Sequence, residues 1–200
     1  MIEIDIVMHD RDPIYLTIIP AEMEHVPLGA VMREPIILAH QQRTFREVVD
    51  AHIALGGVCP HLLYVKLKKK REGESTNVII GAASLFHHNI KQVFDDDDDV
   101  HVHNPTEVEW AAATRFRTDR DLVVVSGAQG SVLNPSTTLN YRPDDMYQGV
   151  SAKMALDVTK PAVYDGRVFT RVNIPGEDEV DLEREVDSNA RPDWAKILAE

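Results

Sequence analysis

Five successive aspartates at 95–99 form the densest run of ionisable side chains in the chain. Carboxylates this close repel one another, and a hard cation such as Ca²⁺ is what would gather them. An EF-hand spreads its ligands over a longer loop turned by a glycine, and this run has neither feature. It reads first as a solvated acidic strand end and second as a cation site. Nine histidines raise the question of transition metals. His87 and His88 are adjacent, so on a helix they diverge and do not share one ion easily. His101 and His103 present both imidazoles on one face of an extended segment, beside the aspartates, where Zn²⁺ or Ni²⁺ could bind. Gly127-Ala128-Gln129-Gly130-Ser131 follows an apolar run, where open α/β sheets tend to place ligands. The segment lacks the Gly-Lys-Ser/Thr ending of a phosphate loop, so it is a functional loop or a plain turn. Cys59 has no base near it in sequence and reads as a small buried hydrophobe. No Ser-His-Asp order or carboxylate pair stands out as a catalytic set.

The elements that must position these residues alternate between strand and helix. Ile2, Ile4 and Ile6 alternate with Glu3 and Asp5, the period of a strand with one wet face. After the turn Arg11-Asp12-Pro13, residues 14–19 read as a second strand, and 21–29 as a linker. Pro35 suits the first turn of a helix running to about Phe45. Strands are expected over 47–53 and 61–67, around the tight Gly56-Gly57. Residues 66–71 hold five basic side chains. Ser75 or Thr76 would cap a helix through about Phe86. A short strand follows at 91–94. Asn104, Pro105 and Glu107 supply a cap, a first-turn proline and a capping-box acid for a helix over 105–116. Val123, Val124 and Val125 mark a buried strand over 121–126. The stretch 127–161 reads as a long loop. A last strand is expected at 168–174, an acidic run at 177–185 and a short helix at 192–198. This order implies an α/β fold, a layered open sheet with flanking helices.

The chain has 200 residues, enough for one or two domains with a real core. Its 21 Lys and Arg against 33 Asp and Glu give a net charge of −12, which argues against nucleic acid or an anionic membrane as partner. A single cysteine excludes an internal disulfide and a cysteine-based zinc knuckle. No apolar run is long enough to span a membrane, and residues 1–10 do not read as a signal peptide. The expected location is cytoplasmic.

The wording of several segments goes further. Arg11-Asp12-Pro13-Ile14-Tyr15-Leu16-Thr17, Arg33-Glu34-Pro35 and Gly56-Gly57-Val58-Cys59 resemble the C-terminal part of UbiD-type decarboxylases. So do the segments 107–115 and 119–127, Leu133-Asn134-Pro135-Ser136, and the segment from Lys153 to Pro161. Within the family the chain looks most like the C subunit of phenolic acid decarboxylases, of the hydroxybenzoate and vanillate kind. The resemblance runs in order over about residues 1–185.

The resemblance implies non-oxidative decarboxylation of an aromatic acid. The complete enzyme would use prenylated FMN, with Mn²⁺ and K⁺ at its phosphate, as electron sink. The family's Glu-Arg-Glu set and metal ligands have no counterpart here, so the chain is expected to be inactive alone and to hold no cofactor by itself. Residues 1–25 would be residual strands of a flavin domain plus linker. Residues 26–175 would be the oligomerisation and lid domain, and 176–200 an acidic tail with a short helix. By resemblance Leu28, Lys91, Ser131 and Leu133 would line the substrate pocket, the last two from a surface loop. No catalytic or metal residue is assigned. The expected partners are further copies of the chain and, if the protein is split, a flavin-domain chain. The rival reading is a non-catalytic binding or scaffold module derived from that family. Within the fold implied, Asp95 and Asp96 occupy positions usually apolar.

Overall fold

In a computed structural model of the chain, the described residues are 6–14, 16–19, 22, 24–57, 61–85, 90–131, 134, 136, 150–163, 166–169 and 176. The chain divides into two units, Met1–Asp165 and Gly166–Glu200.

The first unit is built on a five-stranded sheet. Its strands are β1 (Val48–Ile53), β2 (Leu62–Leu67), β3 (Gln92–Asp97), β4 (Leu122–Gln129) and β5 (Val150–Asp157). They lie in the order β1-β2-β3-β5-β4. β2, β3 and β5 run parallel, and β1 and β4 are antiparallel edges. Helix α1 (Val26–Thr44) and helix α2 (Glu74–Ser84) cover one face. Ile37 of α1 and Val78, Ile79 and Ala82 of α2 pack there on Leu63, Val65, Leu67 and Val93. Helix α3 (Pro105–Arg115) covers the other face, where Val108 and Ala111 meet Tyr64, Phe94 and Leu156. Alternation along each strand supplies one set of side chains to each face. The sheet is thus the layered, open α/β arrangement expected.

The N-cap and first-turn proline of α3 are realised, whereas Glu107 reaches the His101 amide instead of the Asn104 amide that a capping box uses. Asn104 accepts a hydrogen bond from the Thr106 amide at 3.1 Å, and Glu107 accepts from the His101 amide at 2.8 Å. Other expectations are corrected. Helix α1 begins at Val26, inside the expected linker. Pro27 occupies its first turn, and Pro35 lies within the helix. The cap of α2 is Gly73, whose φ of 84° places it in the left-handed region; Ser75 is buried inside the helix. Glu74 accepts from the Lys70 and Arg71 amides and fastens the preceding turn. Helix α2 ends at Ser84, short of Phe86. β4 is an exposed edge strand, with Val124 and Val125 partly in solvent. β5 arises within the expected long loop. Among the described residues of 6–19 no strand forms. The apolar side chains of Ile6, Ile14 and Leu16 are exposed, and a strand needs a partner for its amides.

Gly57 sits in the turn Leu55–Gly57, where a Cβ would collide with the Leu62 side chain. In the second unit the described element is a 3-10 turn, Gly166–Phe169, where a strand was expected from 168. The expected tail at 177–185 and helix at 192–198 lie outside the described residues.

Candidate functional site

Two polar regions lie at opposite edges of the parallel strands. The carboxyl edge holds the aspartates. β3 continues through Asp95, Asp96 and Asp97, which pair with Val65, Lys66 and Leu67 of β2. Asp95 and Asp96 are 0% exposed and Asp97 5%. The expectation of a solvated strand end therefore fails for these three residues. Burial pushes the Asp95 carboxyl well above the ordinary aspartate range, and Asp157, Asp96 and Asp97 push the same way. Burial likewise raises Asp96 to about 8, with Arg115 as the main opposing influence. Burial also raises Asp97, against the hydrogen bond it accepts from the Lys160 amide at 2.5 Å. Asp99 behaves oppositely. Burial raises it, but Arg115 and Lys160 together hold it below the ordinary range. Arg115 donates two hydrogen bonds to Asp99, at 3.0 and 2.9 Å, and Lys160 Nζ lies 2.9 Å from the same carboxylate.

These groups form a charge-balanced set rather than a cation site. Arg115 and Lys160 match Asp97 and Asp99, and among the described residues no cation lies within ion-pair distance of Asp95 or Asp96. Protonation accounts for that lack of a counter-charge, because an unpaired buried carboxylate shifts its pKa upward and neutralises. Among the described residues no group of three or more His, Cys, Asp or Glu side chains is placed to hold a metal.

The histidine pair resolves as an aromatic cluster. His103 packs against His52 with ring centroids 4.4 Å apart, and its Nε2 lies 3.0 Å from Asp50 Oδ2. His101 meets His103 edge-on at 5.6 Å. The basic residues of 66–71 are dispersed among acids: Lys68 lies 3.9 Å from Asp98, Lys69 3.1 Å from Glu72 and Lys70 3.7 Å from Glu47.

The amino edge holds the other region. Lys91 precedes β3 and Ser131 follows β4. Both line one cleft, together with His61, Asn134 and Lys153. β4 runs antiparallel to β5, so the end of β4 meets the start of the parallel strands. The cleft is thus at the amino edge of the sheet, where a carboxyl-edge position was expected. Ser131 is 2% exposed and Asn134 6%, so Ser131 is buried where a place on a surface loop was expected. The Asn134 amide donates to Ser131 O at 3.0 Å, and its Oδ1 accepts from the Ser136 amide and hydroxyl. Lys91 Nζ donates to Ser136 Oγ at 3.0 Å. Lys153 Nζ donates to Ala83 O at 2.6 Å, and burial lowers its pKa below the usual lysine range.

The structure brings Lys91 and Ser131 together. Leu28 does not join them: it is 52% exposed on the first turn of α1. Leu133, Cys59, His87 and His88 lie outside the described residues. Gly127 lies within β4, not in a loop. Its φ of 69° coincides with a register shift between Val125 and Ala128, a bulge in the edge strand. Sequence reasoning missed Lys153. A lysine in an otherwise small and apolar run, Ser151 to Leu156, was the available signal.

Residues 26–158 match the 3-octaprenyl-4-hydroxybenzoate carboxy-lyase C-terminal domain (UbiD) family. Anhydromevalonate phosphate decarboxylase of Methanocaldococcus jannaschii is 33% identical over 175 residues, covering 88% of this chain and 40% of the relative. Gallate decarboxylase of Lactiplantibacillus plantarum is 28% identical, covering 80% of this chain and 34% of that one. Among solved structures, the UbiD-class enzyme HmfF of Pelotomaculum thermopropionicum, in complex with FMN, superposes with a TM-score of 0.76 at 36% identity. That match covers 89% of this chain and 38% of HmfF. The chain therefore spans less than half the length of the curated relatives it matches.

Proposed function

The chain belongs to the UbiD carboxy-lyase C-terminal domain family, and on that premise we propose that it is the closing and assembly part of a non-oxidative decarboxylase. The observation that carries the reading is the amino-edge cleft, in which Lys91 and Ser131 meet although 40 residues of sequence separate them (131 − 91 = 40). In this reading the cleft faces a substrate held against a flavin-binding portion of the enzyme. Lys91, Ser131 and, from outside the described residues, Leu133 contact the substrate. Prenylated FMN supplies the electron sink when bound, with Mn²⁺ and K⁺ at its phosphate. The part of this chain's residues is to orient the acid and to exclude water, which strengthens every electrostatic contact in the enclosed site.

The second half of the proposal is assembly. Leu28, Val31, Met32 and Ile36 of α1 are exposed and recur at helical spacing, forming one apolar stripe. Leu28 is read as part of that stripe. The substrate is a carboxylic acid, and the relatives' names include both a phenolic acid and a phosphate-bearing one.

The test is release of CO₂ by the chain alone and after reconstitution with a UbiD flavin-binding portion and prenylated FMN. Activity only in the reconstituted mixture is expected. Turnover of vanillate or 4-hydroxybenzoate by the chain alone with cofactor would overturn the reading, as would its failure to support turnover of any acid in the mixture.

A further inference from the structure

Ile14 and Leu16 are 99% and 96% exposed, more than any other large apolar side chain described. They belong to an arm, residues 6–19, that precedes α1 and forms no strand among its described residues. The stripe on α1 is a second apolar surface left open. The two surfaces match in spacing. Every second residue of an extended segment advances about 6.6 Å, and every fourth residue of a helix about 6 Å. Ile14, Leu16 and Ile18 share one face of an extended arm. They therefore meet Ile36, Met32 and Leu28 one for one when the arm runs antiparallel to the helix.

Charge agrees with that direction. Arg43 stands in the last turn of α1, seven residues beyond Ile36 and so in line with the stripe. With Leu16 over Met32, Asp12 falls about 13 Å and Asp10 about 20 Å toward the carboxyl end of the helix. Arg43 lies about 17 Å along the same line, between the two acids. Among the described residues none of these three side chains makes an ion pair within the chain. The arm does not lie on its own helix. In the turn between them the Glu22 amide donates to Ile19 O at 3.3 Å, and the His25 and Val26 amides donate to Glu22 O at 2.9 and 3.1 Å. With that turn formed, both apolar surfaces remain exposed.

Area points to a second copy as the occupant. A standard interface engages about 20–30 residues a side, more than one helix face presents. A reciprocal exchange uses both the arm and the stripe of each copy, and so reaches that size. We propose that two copies of the chain exchange their N-terminal arms, each arm lying antiparallel along the partner's α1 with Ile14, Leu16 and Ile18 on Ile36, Met32 and Leu28. The inference deepens the assembly reading and rests on it: it names the segment that covers the stripe. The other candidate occupants are the chain's own arm and a flavin-binding portion, and the experiment separates them.

The test is disulfide trapping in the 200-residue chain, with Cys59→Ser removing its single native thiol. Chains carrying Leu16→Cys are mixed with chains carrying Met32→Cys and oxidised. A linked species of twice 22.5 kDa is expected from the mixture, and much less of it from either variant alone. No linked species in the mixture overturns the exchange. With both cysteines in one chain, a disulfide closed within a single chain assigns the stripe to the chain's own arm and also overturns it. Light scattering supplies the second measurement. Ile14→Glu combined with Leu16→Glu should weaken association by about tenfold or more, since both side chains would lose their cover. Neither residue touches the core, so the urea midpoint should stay that of the parent. An arm variant that associates as the parent does overturns the exchange and leaves the assembly reading standing. A parent that is monomeric alone overturns both, and association only on adding a UbiD flavin-binding portion assigns the arm to that portion.

Discussion

Asp95 and Asp96 are neighbours in β3, and their side chains enter opposite faces of the sheet, both fully buried. Asp95 lies on the α2 face with Ser75, and Asp96 lies on the α3 face with Arg115. One strand thereby carries a buried acid into each of the two cores.

The consequence is a stability that falls as pH rises. The raised pKa of Asp96, about 8, means the folded chain keeps a proton that the unfolded chain loses near pH 4. Between those values the folded state binds more protons, so the free energy of unfolding decreases with pH and levels off above about 8. Asp95 acts in the same direction. Asp99, with its lowered pKa, opposes them only at acid pH, where it loses its charge. Urea midpoints should therefore be higher at about pH 5.5 than at pH 8. Asp96→Asn, which keeps the shape without the ionisation, should flatten that slope and stabilise the chain at about pH 8. An unchanged slope in the variant would show that Asp96 is ionised in the fold.

Gly127 makes a separate prediction about the edge strand β4. Its left-handed φ of 69° is open to glycine at little cost, and no neighbouring atom lies within 4 Å of the place a Cβ would take. Gly127→Ala should therefore act through the backbone alone and destabilise by about 1–2 kcal/mol. Gly56 also has nothing within 4 Å of its Cβ position, and its φ is outside the left-handed range. Gly56→Ala should change stability by less than about 0.5 kcal/mol. Equal effects of the two substitutions, measured by urea denaturation, would remove the conformational argument for the bulge.

Local signals were readable where one residue type has one physical use. Asn104, Pro105 and Glu107 fix the start of α3, and β1 and β2 fall where alternating or continuous apolar residues place them. The proline rule misled at α1, because Pro27 and Pro35 compete for the same first-turn slot and Pro27 takes it. β5 was hidden because Lys153 and Asp157 break its apolar pattern; its strand state comes from β3 and β4 on either side. The aspartates were misread as solvated because a sequence shows an acid but not its protonation. Of the pocket residues, Lys91 and Ser131 converge through strand order, which no local pattern encodes. Leu28 was legible as apolar, but its exposure follows from where α1 packs, on Ile37 rather than on the 28–36 stripe.

That stripe supports the last prediction. Val31 and Met32 are 67% and 69% exposed, and Leu28 and Ile36 are more than half exposed. Four large apolar side chains on one helix face lose hydration free energy only when another surface covers them, at roughly 25 cal/mol per Å². A stable interface needs about 1,600 Å² in total, more than one helix face supplies from a single chain, so pairing of two copies of the face with adjoining surface is the economical arrangement. Light scattering at micromolar concentration should therefore give a mass above 22.5 kDa. Val31→Glu combined with Met32→Glu should return the mass to that of one chain. The urea midpoint of the dissociated form should remain close to the parent's, because neither side chain contributes to the core. A parent chain that is already monomeric, or a double variant that still associates, would place the assembly surface elsewhere on the fold.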